Sequence, residues 1–378
     1  MTNATRVIDA DGHIGEPRAV WEEYTEPEFR SRVPRVARDA DGIDRIMIDD
    51  VKMGRSSGGA YPIAAMCLPG GLSDPQRARR LAWEDLRPGS YDPHARIKDM
   101  DGEGIDVSIL FPSIGVTYAS VKDPKLAAAA CRGYNNWMAD FCRPYPDRLF
   151  NAAPVPLQDV GEAIVEMRRV VKEHGVKAVL VRPNPHNDRH FNDPAYDPFW
   201  AQAQELNCAI AVHGGVGGDM PTVGFDRYQD FFRRMMISHP MEQQLACMDL
   251  ICGGVLEKYP RLRVAFLEAG GAWVPYWLDR MDEFFEKLPH MVPAMKMKPS
   301  EYFERQCFCS CEPEDVALKI AAITGTDKIL MWASDYPHFD CTYPGVVSEL
   351  REHCEALPEE SQRRIIGENA THCYSLGR

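Results

Sequence analysis

This chain of 378 residues lacks several features that mark particular classes of protein. Its 56 acidic residues outnumber its 43 lysines and arginines, and no basic stripe runs along it, so we expect no nucleic-acid partner. No stretch approaches the roughly 18 consecutive apolar residues that predict a transmembrane helix. The first residues, Met1–Arg6, contain no apolar signal region. We therefore expect a cytoplasmic protein without a membrane partner.

The chain also lacks paired cysteine motifs, although it has 12 cysteines. No Cys-x-x-Cys pair occurs, and no flavin or ferredoxin motif is present. Cys307, Cys309 and Cys311 alternate along one predicted strand. Such positions spread over about 13 Å, too far to converge on one ion. We interpret them as buried apolar thiols in a reducing compartment.

Strand-like runs of apolar and β-branched residues alternate with amphipathic helical stretches. Eight such runs, most followed by a helix, favour an α/β fold of the (β/α)8 TIM-barrel type over an open doubly wound sheet. We predict one barrel over residues 1–378. The predicted strands are Val7–His13, Val107–Phe111, Leu149–Val155, Val176–Val181, Cys208–His213, Arg263–Glu268, Gln306–Ser310 and Ile329–Asp335. The predicted helices are Leu126–Phe141, Val160–His174, Asp197–Leu206, Met241–Tyr259 and Trp273–Lys287.

The segment Pro27–Arg96 is too long for one connection between a strand and a helix. It contains a strand-like piece, Ile43–Val51, and a stretch rich in Gly, Ser and Pro from Gly54 to Ser73. Loops at the carboxyl ends of barrel strands usually shape substrate access. We predict that residues 27–96 are an insertion that forms a lid over the barrel mouth. The alternative is a decoration with no role.

Four predicted strands end in side chains that can bind a metal. In a parallel barrel the carboxyl ends of the strands meet at one mouth. Asp9, Asp11 and His13 point to the same face of strand 1, because strand side chains alternate. Buried acids and imidazoles on one face are costly unless they are paired or bound to a metal. The other three strand ends supply His213, Glu268 and Asp335.

These strand ends resemble the amidohydrolase superfamily, in the branch that includes aminocarboxymuconate-semialdehyde decarboxylase. The resemblance covers nearly the whole chain outside the insertion, including Gly367–Ala370 before Tyr374. It implies a (β/α)8 barrel, a metal site and a homodimer. The motifs that carry it are Asp9-Ala10-Asp11-Gly12-His13, Val212-His213-Gly214-Gly215, Glu268-Ala269-Gly270-Gly271 and Ser334-Asp335-Tyr336-Pro337-His338.

Three positions depart from the pattern of that superfamily. Its members commonly carry His-x-His on strand 1, where this chain has Asp11 in the first place. Its decarboxylases place a catalytic histidine on strand 6, where this chain has Glu268. Its binuclear hydrolases often bridge their metals with a carbamylated lysine on strand 4, which here ends in Arg182. The usual acid/base and bridging groups are therefore absent or changed.

Further candidate ligands follow the strand ends, and each has an alternative role. Glu16 lies three residues past His13 and could instead pair with Arg182. His239 precedes a predicted helix that it could simply cap, and His338 could contact the substrate. The candidate metal ligands are then Asp11, His13, Glu16, His213, His239, Glu268, Asp335 and His338. Four carboxylates and four imidazoles exceed the needs of one ion, so we expect two.

Oxygen and nitrogen donors without thiolate suit iron, manganese or zinc. The ligand pattern is also similar to a small group of dinuclear non-haem monooxygenases of the superfamily, which act in diterpenoid hydroxylation and alkylamine oxidation. That similarity favours iron and implies that O2 and an external electron donor take part in hydroxylating a small-to-medium organic substrate. One ion would be held by Asp11, His13 and Asp335, the other by His213, His239 and His338, with Glu268 or Glu16 bridging.

Two other functions remain open. A mononuclear zinc or manganese hydrolase or non-oxidative decarboxylase would lower the pKa of a bound water or polarise a substrate carboxylate. Glu268 would then be the general acid/base, and His338 is the second candidate catalytic residue. The other alternative is a non-catalytic barrel that serves a sister subunit.

Overall fold

The computed structural model describes residues 5–53, 61–215, 220–313 and 315–377. Within these ranges the strands are β1 (Ile8–Ile14), β2 (Arg35–Arg38), β3 (Asp44–Ile48), β4 (Val51–Lys52), β5 (Val107–Pro112), β6 (Leu149–Pro154), β7 (Ala178–Val181), β8 (Ala209–His213), β9 (Val264–Leu267), β10 (Cys307–Cys311) and β11 (Leu330–Trp332). The helices are α1 (Ala19–Glu22), α2 (Pro75–Ala78), α3 (Pro93–Glu103), α4 (Pro124–Cys142), α5 (Val160–His174), α6 (Asp197–Glu205), α7 (Phe231–Cys252), α8 (Val255–Lys258), α9 (Trp273–Lys287), α10 (Pro299–Gln306), α11 (Val316–Thr324), α12 (Val346–Cys354), α13 (Glu359–Arg363) and α14 (Asn369–Cys373). None of the described helices is both long enough and apolar enough to span a bilayer.

Eight parallel strands form one sheet in the order β1-β5-β6-β7-β8-β9-β10-β11. The last strand returns to the first, because the backbone N–H of Asp335 donates to Asp11 O at 3.0 Å and that of His13 donates to Tyr336 O at 2.7 Å. Small and branched side chains such as Ala10 and Ile109 fill the interior and are fully buried. The predicted (β/α)8 barrel is confirmed.

Three barrel strands end earlier than the sequence predicts, and two of them lose a candidate ligand by doing so, whereas β6 only ends one residue early, at Pro154. β9 ends at Leu267, and β11 ends at Trp332. The residues expected to finish these strands include Glu268 with φ 55° and Asp335 with φ 51°. A left-handed backbone cannot continue a strand and is unusual for a residue other than glycine. These two carboxylates therefore stand on turns that leave the barrel mouth.

The long helix after β8 differs from its predicted bounds. We expected it to begin at Met241, after Pro240, but α7 begins ten residues earlier and contains Pro240. The Asp230 side chain caps its start by accepting from the Arg233 N–H at 2.9 Å. Gly254, with φ 79°, separates α7 from the short α8. The prediction that His239 precedes this helix was therefore wrong, since His239 lies inside it.

The insertion after β1 contains a small antiparallel sheet in the order β2-β3-β4. The predicted strand Ile43–Val51 is divided between β3 and β4, and residues 54–60 of the predicted loop lie outside the described part. Two backbone hydrogen bonds fasten the insertion to the loop after β11. Phe339 N–H donates to Met66 O at 3.0 Å, and Gly70 N–H donates to Phe339 O at 2.9 Å. The insertion therefore reaches the carboxyl-terminal mouth of the barrel.

Asp9 joins the two ends of the barrel sheet. Its buried carboxylate accepts from Ser334 N at 2.9 Å, from Ser334 Oγ at 2.8 Å and from Ser108 Oγ at 2.8 Å. Replacing Asp9 with alanine is expected to destabilise the fold by about 3 kcal/mol, because buried donors lose their acceptor. Urea denaturation measures this, with alanine at the exposed Asp226 as the control. An unchanged unfolding midpoint would contradict this role.

Candidate metal centre

Four buried side chains converge at the carboxyl-terminal mouth of the barrel. Asp11 and His13 lie on β1, His213 ends β8, and Asp335 follows β11. The Nε2 atoms of His13 and His213 are 3.1 Å apart. Asp11 Oδ1 lies 3.4 Å from His213 Nε2, and Asp335 Oδ1 lies 3.4 Å from His13 Nε2. Two imidazole nitrogens and two carboxylate oxygens therefore face one another.

Hydrogen bonds determine which nitrogen of each histidine is available. His13 Nδ1 lies 3.3 Å from Pro112 O, and His213 Nδ1 lies 2.9 Å from Gly214 O. A carbonyl can only accept, so in the neutral rings Nδ1 carries the hydrogen and Nε2 keeps its lone pair. Burial also lowers the pKa of His13 well below its usual value, which favours the neutral form. This arrangement is typical of histidines that bind a metal.

The two carboxylates show what such a centre would bind. Asp11 Oδ1 and Asp335 Oδ1 are buried, and neither accepts a well-aligned hydrogen bond from the described residues, although His338 Nδ1 lies 2.8 Å from Asp335 Oδ1. Burial raises the pKa of both carboxyls, and the carboxylates of Asp340 and Glu268 raise that of Asp335 further. A buried, unpaired carboxylate is costly unless a cation meets it. The four donors therefore fit a divalent metal ion that prefers oxygen and nitrogen.

A second possible ligand group overlaps the first. Asp11, His13 and His213 form one group, and His13, Asp335 and His338 form the other. His338 Nδ1 lies 2.8 Å from Asp335 Oδ1, and His338 Nε2 lies 3.0 Å from Ser113 Oγ. The two groups share His13, whose Nε2 has a single lone pair, so they overlap.

Ser113 was not predicted as a site residue, although it directly follows β5. Its hydroxyl donates to Ile14 O at 2.7 Å, so its oxygen accepts from His338 Nε2–H. Burial lowers the pKa of His338, but the hydrogen bond with Cys67 and the charges of Glu268 and Asp340 outweigh it and raise that pKa to about 9. His338 therefore has a proton to donate. Its position directly after the end of β5 was the sequence signal that could have identified Ser113 as a site residue.

Glu268 lies on the other side of His213. Its Oε2 is 3.2 Å from His213 Nδ1 and 3.8 Å from His239 Nε2, and its Oε1 is 4.0 Å from His338 Nδ1. Burial raises the pKa of Glu268, but the charges of these histidines outweigh it and lower the pKa. Glu268 thus faces Nδ1 of His213, whereas Asp11 faces Nε2 of the same ring. Glu268 belongs to neither ligand group.

His239 reaches the site from the middle of α7. Its Nδ1 lies 3.2 Å from Ser238 Oγ, and its buried Nε2 has no hydrogen-bond partner among the described residues. It passes very close to Gly214, where an added Cβ would lie 2.4 Å from the Cδ2 atom of His239. The glycine after His213 is therefore needed for this approach. His239 contacts Glu268 rather than the ligand groups.

The structure does not bring Glu16 to the cluster. Both of its carboxylate oxygens accept backbone hydrogen bonds, from Ile114 N at 2.9 and 3.0 Å and from Gly115 N at 2.8 Å. The alternative pairing with Arg182 is also not formed, because Arg182 donates to Val116, Asn184 and Gly215. Glu16 is fully buried and holds the turn after β5.

Glu16 should make stability depend on pH. Burial raises its pKa from 4.5 to about 7, against the hydrogen bonds from Gly115 and Ile114 that lower it. The folded chain then holds this proton more tightly than the unfolded chain does. The free energy of unfolding is expected to fall by about 3 kcal/mol as pH rises from about 4.5 to about 7, and to change no further above that. Urea denaturation of the wild type and of Glu16→Gln across this range measures the difference, and parallel curves would contradict it.

The cavity above the cluster has apolar walls. Ile46, Ile63 and Met66 line it from the insertion, and Val116 and Phe339 line it from the barrel loops. Its floor contains His13, His213, His239, Glu268 and His338. The β10 cysteines are buried and free, and they belong to no metal-ligand group in the described part of the chain.

Comparison with known proteins identifies the family. The family model described as amidohydrolase matches residues 8–376, nearly the whole chain. The chain belongs to the amidohydrolase family. This amidohydrolase is 24% identical over 296 residues to 2-amino-3-carboxymuconate-6-semialdehyde decarboxylase of Dictyostelium discoideum, covering 78% of this chain and 79% of the relative.

Two further comparisons agree with that result. Gamma-resorcylate decarboxylase of Rhizobium sp. (strain MTP-10005) is 27% identical over 280 residues, which cover 68% of this amidohydrolase and 80% of the relative. A crystal structure of 5-carboxyvanillate decarboxylase from Novosphingobium aromaticivorans, complexed with manganese and 4-hydroxy-3-methoxy-5-nitrobenzoic acid, matches with a TM-score of 0.69. It is 19% identical, and the match covers 99% of this chain and 97% of that one.

These relatives correct the expected chemistry. The sequence favoured an iron monooxygenase with O2 and an electron donor as partners, and that prediction was wrong. The relatives are decarboxylases, and a non-oxidative loss of carbon dioxide needs neither O2 nor an electron donor. The oxygen chemistry had followed from the similarity to dinuclear monooxygenases, and the expected second ion from counting the extra carboxylates and histidines as ligands, whereas the structure places Glu16 and Glu268 outside both ligand groups. Metal binding itself fits the Asp and His cluster.

Proposed function

We propose that this member of the amidohydrolase family is a non-oxidative decarboxylase with one divalent metal ion. The observation that carries the proposal is the convergence of two buried carboxylate oxygens, Asp11 Oδ1 and Asp335 Oδ1, on the Nε2 atoms of His13 and His213. The decarboxylase relatives support the reaction. The proposed ligands are Asp11, His13, His213 and Asp335.

One ion is proposed in place of the two expected, with manganese or zinc preferred to iron. His13 Nε2 has one lone pair, so it binds one ion. The 5-carboxyvanillate decarboxylase structure contains manganese. Manganese and zinc both accept the carboxylate and imidazole donors of this set.

The metal would polarise a substrate carboxylate and neutralise charge near it. The side chains of the site handle the proton. When the bond to the carboxylate breaks, carbon dioxide leaves, the electron pair stays on the ring or vinyl carbon, and that carbon must gain a proton. We assign this proton to the Nδ1–H of His338, because Ser113 holds its Nε2–H, while Nδ1 lies 2.8 Å from Asp335 Oδ1 and 4.0 Å from Glu268 Oε1. Glu268 stabilises the protonated imidazole before the transfer.

The test is metal analysis together with release of carbon dioxide. Protein loaded with Mn2+ or Zn2+ is incubated with a panel of aromatic and unsaturated carboxylic acids in deuterium oxide. We expect about one metal ion per chain, carbon dioxide release, and one deuterium at the carbon that lost the carboxylate. A fully loaded protein that releases no carbon dioxide from any acid, or that consumes O2 with the same substrates, would overturn the proposal.

We also propose that the described part of the predicted insertion 27–96, namely residues 27–53 and 61–96, forms the substrate-facing lid of the cavity. Ile46, Ile63 and Met66 support this, because all three line the cavity opposite the barrel loops. The homodimer stays a prediction, which light scattering of the purified protein tests.

A further inference from the structure

Arg182 is a buried cation that the proposed reaction has not yet used. It directly follows β7, so it stands at the same mouth as the metal-ligand cluster, and it is 1% exposed. Burial lowers its pKa to about 10, which still leaves the guanidinium charged at neutral pH. A buried charge is costly unless an opposite charge meets it.

No described carboxylate forms an ion pair with Arg182. Its Nη1 donates to Val116 O at 3.2 Å, and its Nη2 donates to Gly215 O at 2.6 Å and to Asn184 Oδ1 at 3.2 Å. These acceptors are neutral. The Nε–H, which is buried, has no partner within the described ranges. Arg182 therefore keeps both its net charge and an unused donor.

The position of Arg182 relates this charge to the cavity. Val116 and Gly215, whose carbonyls it bonds, both line the cavity together with Glu268. A Cβ added to Gly215 would lie 2.9 Å from Arg182 Nη1. The guanidinium thus lies directly behind this part of the wall, and its charge acts on Glu268.

The charges of the site explain what Arg182 would do. Asp11, Asp335, Glu268 and Asp340 carry four negative charges, and one divalent ion together with the protonated imidazole of His338 leaves one of them uncompensated. The cavity itself is lined by no lysine or arginine among the described residues. A negative site would repel a carboxylate substrate, and the charge of Arg182 restores neutrality.

We propose that Arg182 is the specificity-determining residue that allows this site to accept anionic substrates, namely carboxylates, in preference to neutral analogues of the same shape. The proposal rests on the proposed decarboxylase function for its substrate class. Recognition by a buried guanidinium is worth about tenfold to a hundredfold in affinity.

The experiment measures binding rather than turnover, so it remains readable if decarboxylation fails. Dissociation constants of benzoate and benzamide, which have the same shape and different charge, are measured by calorimetry on the Mn2+-loaded protein. In Arg182→Met the dissociation constant of benzoate is expected to rise at least tenfold and that of benzamide to stay unchanged. The metal content of the variant should equal that of the wild type. Arg182→Lys should keep most of the preference. The control is Arg263→Met. Like Arg182, Arg263 donates to backbone carbonyls and to the side chain of an asparagine, Asn207, but it lies at the other end of the barrel, before β9.

A second measurement needs no variant that must fold. In the wild-type protein loaded with diamagnetic Zn2+, the NMR signal of the Arg182 Nε–H is expected to shift when benzoate is added and to stay in place with benzamide. The proposal is overturned if Arg182→Met weakens the binding of benzoate and benzamide equally, or if it changes the binding of neither. It is also overturned if the two ligands shift the Arg182 signal alike. Failure of the decarboxylase proposal would instead appear as absent carbon dioxide release with the benzoate preference intact.

Discussion

Replacing His13 with alanine is expected to empty the metal site and to lower turnover by about a thousandfold or more. His13 is common to both ligand groups, and its Nε2 lies within 3.7 Å of Asp11, Asp335 and His213. No other described side chain can replace that nitrogen between the two carboxylates. Metal analysis of the dialysed protein and the rate of carbon dioxide release measure the two effects.

The matched control for this change is His186→Ala. His186 is also a buried histidine near a barrel strand end, but it belongs to neither ligand group. It is expected to keep about one ion per chain. If His13→Ala retained its metal and His186→Ala lost it, the ligand assignment would be wrong.

Replacing Glu268 with glutamine is expected to lower turnover by about a hundredfold to ten-thousandfold while the metal content stays the same. Glutamine keeps the shape of the side chain but removes the negative charge that faces His213, His239 and His338. Proton transfer then loses its stabilising partner, whereas the four proposed ligands are untouched. Single-turnover kinetics and metal analysis on the same sample measure both quantities.

Glu242→Gln provides the comparison for Glu268→Gln. Glu242 is a buried glutamate on α7 that accepts from the Val223 N–H at 2.5 Å, outside the ligand groups. The Glu242→Gln variant is expected to have nearly the same turnover as the wild type. Loss of metal from Glu268→Gln would instead show that Glu268 is a ligand, and this would restore the case for a second ion.

Much of the barrel could be predicted because its strands are buried on both faces and therefore appear as apolar runs. The predicted bounds of Leu149–Val155 and Cys208–His213 differ from the observed strands by one residue at an end. The predicted ends of strands and helices agreed less well with the structure where the backbone conformation, rather than the end of an apolar run, terminates the element. Asp335 has a left-handed backbone, and Pro240 lies inside a helix, and neither can be inferred from hydrophobic periodicity.

The candidate ligands at strand ends could be predicted because parallel strands in a barrel share one mouth. Asp11, His213 and Asp335 meet there as expected. Glu16 could not be placed in this way, because its partner Ile114 is 98 residues away along the chain. Short spacing after His13 suggested a ligand, but the amides of a distant turn hold the carboxylate.

The ligand pattern left the reaction undecided, and a non-oxidative decarboxylase was one of the alternatives that it kept open. A list of donors says how many groups could bind metal, but not which ring nitrogen each group faces. Glu268 approaches His213 Nδ1, whereas Asp11 approaches His213 Nε2, and only the three-dimensional structure separates these two sides. Counting Glu268 as a bridging ligand led to two ions, and the similarity to the dinuclear monooxygenases led to oxygen chemistry.

The contacts between β1 and the segment after β11 determine when the metal site can exist during synthesis. Asp9 and Ser334 are 325 residues apart in sequence. The backbone hydrogen bond between Asp335 and Asp11 joins the same two ends of the sheet. A nascent chain has no complete ligand set until its last strand has emerged and has reached the first. Metal binding then favours only the fully folded chain, so the ion would act as a late check on assembly and add to the stability of the joined ends.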